Sequence, residues 1–389
     1  MDLRTGLPVV GMVGAGQLAR MTHQAAIPLG LSLRLLAEHA DDGAALVAHD
    51  VVVGAPDDAD AVSAFAAGCD GVTFDHEHVP TEVLRRLVAE GRTVLPGPDS
   101  LTHAQDKLVM RRRLSAAGVP CPRWAPVSTP ADIEAFAAEV GWPVVLKAAR
   151  GGYDGKGVWV LDSAEQAGEP LASGTPLLVE QRVRLRRELA AVVARSPFGQ
   201  AAAWPVVQTV QLDGICVEVI APAPDLAEET AVAAQELALK IAGDLEVAGV
   251  LAVELFETDD GLAVNELAMR PHNSAHWTIE GSRTSQFEQH LRAVLDYPLG
   301  DTSPTAPVTV MANLLGGETG GTGIDERVHH LFAADPAIKI HLYGKQIRPG
   351  RKIGHVTALG DDVDTTRRRA TSAVDYLRTG QWPGEEPTS

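Results

Sequence analysis

The chain has 389 residues, of which 45% are hydrophobic and 22% charged, and its formal net charge at pH 7 is −18. This composition excludes a disordered, collagen-like or coiled-coil chain, and the length predicts two to three domains. The negative charge argues against general nucleic-acid binding, because an acidic surface repels phosphate backbones. We find neither about 18 consecutive apolar residues nor an initial apolar stretch with a cleavage site, and therefore expect a cytoplasmic protein.

The first hundred residues alternate between short strands and helices. Strands are predicted at Pro8–Val13, Leu31–Ala37, Val51–Val53, Gly71–Phe74 and Thr93–Leu95, and helices at Gln17–Leu29 and Val83–Glu90. Such alternation is typical of a parallel sheet covered by helices. We therefore predict an N-terminal Rossmann-like domain over residues 1–104.

A glycine-rich turn follows the first strand of this domain. Gly14, Gly16 and Ala19 fit the GxGxxA pattern, and Glu38 ends the second strand, where a dinucleotide-binding fold carries its ribose-binding acid. Taken alone, this pattern predicts NAD binding. The alternative is a tight strand–helix turn in a domain that binds another molecule.

The rest of the chain mixes helices with strands. Helices are predicted at Gln105–Ala117, Asp225–Ala242 and Arg283–Leu295, and strands at Val144–Lys147, Val158–Leu161, Leu177–Val179, Leu189–Ala194, Gly214–Ile220 and Val247–Phe256. A last segment, about residues 305–377, has predicted strands at Val308–Leu314, Ile338–Leu342 and Ile353–Ala358, then a helix through Tyr376. The predicted class is therefore α/β at the beginning and α+β beyond it.

Two of these strands flank a loop with four glycines, Gly151, Gly152, Gly155 and Gly157. Because no helical pattern follows, the loop is neither a Walker A loop nor a Rossmann turn. The amide groups of such a hairpin, with Lys156, can fold over a polyphosphate, and Lys147 supplies a cation for phosphate oxygens. The alternative is an ordinary surface hairpin.

A second hairpin carries two carboxylates. If its turn centres on residue 260, Glu254 and Glu266 lie opposite each other on one face, and Asn265 points to the other face. Like charges so close are destabilising unless a cation offsets them. Oxygen ligands beside a phosphate loop predict Mg²⁺, with Mn²⁺ as an option. The alternative is a solvated hairpin with accidental symmetry.

Several histidines and one basic group remain. The run Asp75–His78 and the pair His272 and His276 are weak zinc candidates, and Asp75 and Glu77 are better placed to line a cleft at a strand end. A basic group suits a phosphate monoester and consists of Lys345, Arg348, Arg351, Lys352 and His355. The alternative for this group is a solvated charged turn.

Six motifs together resemble one family. They are Gly14–Met21, GGYDGKG (151–157), Glu180–Gln181, Asn265–Glu266, RPHNSAHWT (270–278) and RPGRKIGH (348–355). Over about residues 8–360 the chain resembles the N5-carboxyaminoimidazole ribonucleotide synthases, which are ATP-grasp enzymes of purine biosynthesis. The phosphate loop and the carboxylate hairpin are shared by many ATP-grasp enzymes. The first motif and the last two are specific to this family.

The resemblance implies an ATP-grasp fold and a reaction. ATP, bicarbonate and 5-aminoimidazole ribonucleotide would give the N5-carboxylated ribonucleotide, ADP and phosphate through carboxyphosphate. The implied domains are the N-terminal domain (1–104), a linking helix (105–123), a mobile lid (124–186) and a C-terminal domain (187–389). The resemblance also implies a homodimer and a transient hand-off of the product to a downstream mutase.

The resemblance assigns site residues by position. For ATP it implies Lys107, Lys147, Gly152, Tyr153, Asp154, Gly155, Lys156, Gly157, Glu180, Gln181, Val183, Glu188, Gln208, Asn265 and Glu266. For the ribonucleotide it implies Gln17, Leu18, Glu77, Tyr153, Arg270, Ser274, Lys345, Arg351 and Lys352. The implied catalytic residues are Arg270, Tyr153 and Asp154, and the implied metal ligands are Glu254 and Glu266.

The chain departs from the family pattern at a few positions. Gln208 and Thr209 stand where members have Glu-Asn or His-Asn, Gln211 replaces a histidine, and Ala275 replaces a glycine. His76 and His78 stand within the motif that contains Glu77. Three other functions stay open, namely an ATP-grasp ligase with another acceptor, an NAD-dependent oxidoreductase and a nucleotide sensor without turnover.

Overall fold

A computed structural model describes residues 1–152, 155–317 and 322–382. Tyr153 and Asp154, two of the candidate site residues, lie outside the described part of the chain. Three sheets organise the rest, and they follow one another along the sequence. Within the described ranges, no helix combines the length and apolar character that a membrane crossing requires.

The N-terminal sheet is parallel, as the alternating pattern predicts. Its strands, in the order β3-β2-β1-β4, are β1 (Val9–Val13), β2 (Ser32–Ala37), β3 (Asp50–Val53) and β4 (Gly71–Phe74). The helices of this part are α1 (Gln17–Ala26), α2 (Ala59–Ala66) and α3 (Thr81–Ala89). The expected strand at Thr93–Leu95 is reduced to one bridge, in which Val94 pairs with Val72.

Two short helices lead from this domain to the next sheet. They are α4 (Pro98–Gln105) and α5 (Lys107–Ala116), where a single helix from residue 105 to 117 is predicted. The helix is interrupted at Asp106, whose backbone is extended. The side chain of Asp106 caps α5 by accepting from the amides of Leu108 and Val109. This break places Lys107 at the very beginning of α5.

The second sheet is small and antiparallel. Its elements are β5 (Trp124–Val127), α6 (Pro130–Val140), β6 (Val144–Ala148), β7 (Val158–Leu161), α7 (Gly168–Ala172) and β8 (Leu177–Gln181). The strand order is β5-β8-β6-β7, so the glycine-rich loop joins the neighbouring strands β6 and β7 at one edge. This sheet, with its loop, corresponds to the part predicted as the lid.

The third sheet is antiparallel and has nine strands. These are β9 (Leu185–Arg195), β10 (Ala201–Ala203), β11 (Val207–Leu212), β12 (Ile215–Ala221), β13 (Gly249–Thr258), β14 (Gly261–Ala268), β15 (Val308–Leu315), β16 (Lys339–Leu342) and β17 (Lys352–Gly360). Its helices are α8 (Glu228–Asp244), α9 (Thr278–Gly281), α10 (Gln286–Val294), α11 (Ile324–Ala334) and α12 (Val363–Thr379). The order is β14-β13-β9-β11-β12-β15-β17-β16, with β10 beside β9.

The two faces of this sheet are packed differently. On one face, Leu189 and Leu251 belong to the buried cluster that also contains Ala238 and Ile241 of α8. On the other face, small residues such as Ala190 and Ala252 leave space for Trp277. Because side chains alternate along each strand, the polar residues that share the face of Ala190 form one group.

His290 joins the N-terminal domain to the nine-stranded sheet. This fully buried side chain of α10 accepts the amide of Val250 on β13 at Nδ1 (3.1 Å), and its Nε2 lies 2.7 Å from the hydroxyl of Thr73 on β4. The accepting Nδ1 places the proton of the neutral ring on Nε2, which donates to Thr73. His290 therefore links the parallel N-terminal sheet to the antiparallel nine-stranded sheet.

Candidate functional site

Glu254 and Glu266 are directly opposite each other on β13 and β14, as predicted, although the hairpin reaches this register in another way. Its turn lies between Thr258 and Gly261, half a residue before the expected centre. A β-bulge then skips Asn265, so that Leu255 pairs with Val264 and Glu254 pairs with Glu266. The bulge compensates for the position of the turn and brings the carboxylates together.

The same bulge overturns the prediction for Asn265. Strict alternation would turn its side chain to the other face, but Asn265 Nδ2 lies 3.3 Å from Glu254 Oε2. Its Oδ1 accepts from Lys147 Nζ at 3.0 Å. Asn265 therefore belongs to the carboxylate group and adds a third oxygen beside Glu254 and Glu266.

Two lysines approach this group from the linking helix and from the small sheet. Lys107 Nζ lies 2.6 Å from Glu266 Oε1. Lys147, on β6, contacts Asn265 and also Glu180 Oε2, at 2.7 Å. The predicted phosphate-binding lysines are therefore gathered around the predicted metal-binding residues.

Glu180 is buried and paired with two cations. Its second oxygen accepts from Arg111 Nε at 2.7 Å, and the nearby Lys147 and Arg111 hold its pKa below the usual value despite burial, which acts in the opposite direction. The side chain of Glu180 thus orients Lys147, and the neighbouring Gln181 is the last residue of β8. Arg111 was not among the predicted site residues, although it stands four positions after Lys107 on the same helix face.

The pKa of Glu254 is raised to about 7, chiefly by burial and also by the neighbouring carboxylates of Glu266 and Glu188, whereas Lys107 and Lys352 act in the opposite direction. Glu188 on β9 has its own pKa raised by burial and is hydrogen-bonded to Gln211. Glu188, Glu254 and Glu266 therefore share one face, and Lys107 is paired with Glu266 there. The oxygens of Glu254, Glu266 and Asn265 are of the kind that a divalent cation prefers.

Gln208 does not join this group. It pairs with Leu189 on β9, and Leu189 belongs to the face that packs on α8, opposite to Glu188 and Glu254. Gln211 lies on the opposite face of β11, because Thr209 pairs with Glu188 and Gln211 is two residues further along the strand, and it reaches Glu188. The predicted contact between the Gln208 side chain and ATP is therefore not supported by this geometry.

The segment after β14 contributes a histidine that the predicted site lacked. His272 Nε2 lies 3.5 Å from Glu254 Oε1, and its Nδ1 lies 2.9 Å from Ser274 Oγ. Burial lowers the pKa of His272 to about 3, with Arg270 and Lys352 acting in the same direction, so the ring is neutral. Ser274 is buried against this ring and orients it.

His276 points elsewhere, although it follows His272 by one helical turn. Its Nδ1 lies 3.0 Å from Gln286 Nε2, and its Nε2 lies 3.5 Å from Gln17 Nε2. The two rings therefore have separate partners. Among the described residues there is no group of three histidine, cysteine, aspartate or glutamate side chains arranged to hold a metal.

Four of the nine candidate ribonucleotide residues form two pairs that link distant parts of the chain. Arg270 Nε donates to Glu77 Oε2 at 2.6 Å, which links the segment after β14 to the end of β4. Lys345 Nζ donates to Gln17 Oε1 at 2.5 Å, which links the C-terminal segment to α1. Leu18 differs, because its side chain is buried with Met21, Phe287 and Tyr343 and packs the core.

The basic C-terminal group contains four charges rather than five. His355 is fully buried on β17, where its Nδ1 lies 2.7 Å from the hydroxyl of Tyr343, and burial lowers its pKa well below the usual value. The neutral His355 cannot clamp a phosphate. Lys345 and Arg351, and with them Arg348 and Lys352, are the cations of this segment.

Lys352 at the beginning of β17 acts on the carboxylate group electrostatically. Its charge lowers the pKa of Glu254 and that of His272, although other causes are larger for both residues. The basic C-terminal segment therefore contributes to the charge balance around Glu254.

The glycine-rich loop of the small sheet touches the large sheet. Gly155 has a φ of +76°, and a Cβ at Gly155 would lie 3.3 Å from the Cα of Gly214, in the turn between β11 and β12. A Cβ at Gly214, with a φ of +77°, would lie 2.9 Å from the Cα of Gly155. Two glycines are therefore required where the loop meets this turn.

The N-terminal glycine turn is filled by the chain itself. The Asp75 carboxylate accepts from the amides of Gly16 and, at 3.1 Å, Ala19 at the beginning of α1. A Cβ at Gly14 would lie 2.8 Å from that of Asp75. Asp75 thus occupies the anion site that a dinucleotide pyrophosphate would need, and the NAD prediction from this motif is wrong.

Three family models match successive parts of the chain. Residues 7–105 match the ribonucleotide synthetase preATP-grasp domain, residues 112–287 match the ATP-grasp domain, and residues 309–369 match the phosphoribosylaminoimidazole carboxylase C-terminal domain. The three matches lie on the N-terminal sheet, on the lid with the carboxylate hairpin, and on the last strands of the large sheet.

Two curated relatives share a name and cover nearly the whole chain. N5-carboxyaminoimidazole ribonucleotide synthase of Mycobacterium tuberculosis is 62% identical over 381 residues, which cover 96% of this chain and 89% of the relative. The enzyme of that name from Corynebacterium ammoniagenes is 49% identical, with 97% and 94% covered.

Two solved structures with the same fold extend the comparison. The synthetase from Thermus thermophilus has a TM-score of 0.84 at 36% identity, with 98% of this chain and 100% of that chain covered. The Aspergillus clavatus synthase in complex with ADP and 5-aminoimidazole ribonucleotide has a TM-score of 0.84 at 31% identity, with 95% and 98% covered.

Proposed function

The chain belongs to the N5-carboxyaminoimidazole ribonucleotide synthase family, and from this premise we propose how its residues carry out the reaction. The enzyme is an ATP-grasp ligase that uses ATP to carboxylate 5-aminoimidazole ribonucleotide in purine biosynthesis. The proposal concerns the carboxyl donor, the metal ion and the residues that act on each substrate.

Bicarbonate is the proposed carboxyl donor. Its oxygen attacks the γ-phosphorus of ATP, the bond to the β-phosphate oxygen breaks, and carboxyphosphate and ADP form. The exocyclic amine of the ribonucleotide then attacks the carboxyl carbon, or the CO₂ released from it, and phosphate leaves as the amine loses a proton. Transfers of this kind depend mainly on positioning and charge neutralisation.

On the nucleotide side, we propose that Lys107 and Lys147 bind phosphate oxygens and that the loop at 152–157 covers the triphosphate. Both lysines contact the carboxylate group already, and Glu180 holds Lys147 in place. The residues Gln181, Val183 and Glu188 would contact the adenosine part, as the family resemblance implies. Preformed cations of this kind favour the charge that develops during phosphoryl transfer.

Glu254 and Glu266, with Asn265 beside them, fit a magnesium ion. Two carboxylates suffice, because Mg²⁺ usually keeps several waters and substrate phosphates as its other ligands. When bound, the ion would neutralise charge on the β- and γ-phosphates. His272, neutral and close to Glu254, would help to orient that carboxylate.

On the ribonucleotide side, we propose that Lys345, Arg351 and Lys352 bind the phosphate and that Gln17 contacts the sugar or base. Arg270, oriented by Glu77, would direct the carboxyl group toward the amine. Tyr153 and Asp154 are assigned to the same reaction by the family motif. Bidentate arginine contacts suit phosphate and carboxylate groups alike.

We further propose a cytoplasmic homodimer whose substrates are small molecules. The charge of −18 supports the absence of a nucleic-acid partner. Because the carboxylated amine is labile, a transient hand-off to the mutase that consumes it would limit its loss.

One observation supports the assignment best, namely the pairing of Glu254 with Glu266 while Lys107 contacts Glu266. The test measures phosphate release from ATP and Mg²⁺ with and without the ribonucleotide and ¹³C-bicarbonate. Ribonucleotide-dependent release, with ¹³C in the N-carboxylated product, is expected. Release without labelled product would mean another acceptor.

Glu266→Gln tests the metal site in the same assay. We expect turnover to fall about 100-fold, as when one preorganised electrostatic contact is lost, while the melting temperature is unchanged or higher because the like-charge repulsion is relieved. Glu139→Gln, which alters an exposed carboxylate paired with Arg123, is the matched control. Wild-type activity in Glu266→Gln would remove this residue from the metal site.

A further inference from the structure

Arg111 is a fully buried arginine that has no assigned role in the proposed reaction. It lies on α5, one turn after Lys107, and the exposed fraction of its side chain is 1%. A buried guanidinium is costly unless its donors are satisfied. The partners of Arg111 therefore indicate what the residue does.

Its three nitrogens donate to two separate elements. Nε donates to Glu180 Oε1 on β8 at 2.7 Å, whereas Nη1 donates to the carbonyl of Val264 at 3.0 Å and Nη2 to the carbonyl of Asn265 at 2.8 Å. Both carbonyls belong to the bulge of β14. One planar group thus joins the lid sheet to the carboxylate hairpin.

The bulge needs such partners. A β-bulge leaves its extra residue outside the regular ladder, and buried backbone groups without partners are destabilising. Here the amide of Val264 donates to the carbonyl of Pro120 at 2.8 Å, just after α5, and Arg111 serves the two carbonyls. The segment between the N-terminal domain and the lid therefore supplies the bulge with hydrogen bonds.

The contacts around Arg111 form a closed ring. Arg111 binds Glu180, Glu180 binds Lys147, and Lys147 binds the side chain of Asn265, whose carbonyl returns to Arg111. The ring holds Asn265, the extra residue of the bulge, in place. Glu266 pairs with Glu254 only because Asn265 is left out of the strand pairing. A lysine would donate from one atom and could not match the two diverging carbonyls and the carboxylate.

We propose that Arg111 is a positioning residue that holds the β14 bulge in the register required for the Glu254–Glu266 metal site. It touches neither ATP nor the ribonucleotide and acts through Asn265 and Glu266. The inference rests on the proposed function, since it presupposes that the two carboxylates bind magnesium.

Calorimetric titration with ADP, once with Mg²⁺ and once with EDTA, tests this role. Arg111→Lys should weaken ADP binding about 10- to 100-fold more in Mg²⁺ than in EDTA, the range for residues that orient metal ligands. Arg113→Lys is the matched control, because exposed Arg113 on the same helix donates to the carbonyl of Asp244. It should bind ADP as the wild type does.

Three outcomes would overturn the proposal. Equal weakening in Mg²⁺ and in EDTA, together with a lower melting temperature, would leave Arg111 a structural role only. If the wild type binds ADP more tightly in Mg²⁺ than in EDTA and Arg111→Lys binds ADP as the wild type does, the inference is refuted while the proposed metal site remains supported. A wild type indifferent to Mg²⁺ would refute the proposed metal site itself, and the inference with it.

Hydrogen exchange of the metal-free wild type adds a test that needs no variant. If Arg111 holds the bulge, the amides of Asn265 and Glu266 should exchange as slowly as those of neighbouring β13. Rapid exchange of these two amides would contradict the proposal even if Arg111→Lys failed to fold.

Discussion

Single lysines in the site already have a carboxylate partner before any nucleotide binds. Lys107 is paired with Glu266 at 2.6 Å and Lys147 with Glu180 at 2.7 Å. If these lysines bind the triphosphate as proposed, they are already oriented and little reorganisation is needed when it binds. Lys345 is held in the same way, because it donates to Gln17 Oε1.

Arg351→Ala should separate the two substrates. Arg351 is exposed in the basic C-terminal segment, and loss of a charge-assisted contact to the ribonucleotide phosphate should raise the KM for that substrate about 10- to 100-fold. The KM for ATP should stay within about twofold of the wild-type value. Steady-state kinetics with each substrate varied in turn provide the measurement.

Arg368→Ala is the control for this variant, because Arg368 is an exposed arginine of α12 that donates to Thr365 of its own helix. It should change neither KM. An equal rise of both KM values in Arg351→Ala would show that Arg351 does not bind the ribonucleotide phosphate.

At the scale of the secondary-structure elements, the positions of side chains depend on two irregularities that no simple pattern contains. The pairing of Glu254 with Glu266 was predicted correctly through two errors of opposite effect. The turn was placed half a residue too late, and the bulge that shifts the pairing by one residue was not foreseen. The direction of Asn265 was not predictable, since period-two alternation holds only in a regular ladder. Arg111 could have been found from its spacing to Lys107, but nothing in the sequence shows which carbonyls it reaches.

The prediction also left out several elements. β5, β10, β11, α4, α6 and α11 are absent from it, and Gln208 on β11 shows why. A strand with polar residues on both faces has no clear alternation, and its place is fixed by neighbours distant in sequence. The strands β1 and β4 of the parallel N-terminal sheet were predicted well, because they are short buried runs, mainly of apolar residues.

The contact between the glycine-rich loop and the β11–β12 turn leads to a prediction for ATP. Gly214→Ala would place a Cβ 2.9 Å from the Cα of Gly155 and push the loop away from the large sheet. We expect the KM for ATP to rise about fivefold, the equivalent of about 1 kcal/mol. Initial rates at varied ATP concentration measure this change.

Gly199→Ala is a matched control for Gly214→Ala. Gly199 also has a positive φ, +94°, but its Cβ would meet only Arg195 Nη2 at 3.8 Å, far from the loop. Both variants should lose about 1–2 kcal/mol of stability from the left-handed backbone, and only Gly214→Ala should change the KM for ATP. If both variants altered it alike, backbone strain rather than the loop contact would be the cause.

At the scale of the whole molecule, the buried His290 links the N-terminal domain to the nine-stranded sheet. Burial lowers the pKa of His290 to about 3, while an unfolded chain has the ordinary value of 6.5. Between these values the unfolded state binds a proton that the folded state does not. The free energy of unfolding must therefore fall as the pH drops below 6.5.

His290→Gln should make stability less dependent on pH. Each such histidine contributes about 1.4 kcal/mol per pH unit, hence about 2 kcal/mol between pH 6.5 and pH 5. Urea unfolding at several pH values gives the free energy of unfolding as a function of pH. In His290→Gln this free energy should fall by about 2 kcal/mol less between pH 6.5 and pH 5 than in the wild type, although the variant is less stable at pH 7. His39→Gln, at an exposed position, should keep the wild-type slope; an unchanged slope in His290→Gln would mean that this histidine is protonated in the folded protein.

Asp75 gives the N-terminal domain an anion that never dissociates. In the cell, a helix N-terminus behind a glycine turn competes for every phosphorylated metabolite, and its occupancy varies with their concentrations. Here the acceptor is a side chain of the same polypeptide, and it meets the amides of Gly16 and Ala19 whatever the supply of metabolites. The positive end of α1 is therefore compensated within the chain itself, and no free anion is needed to complete this turn.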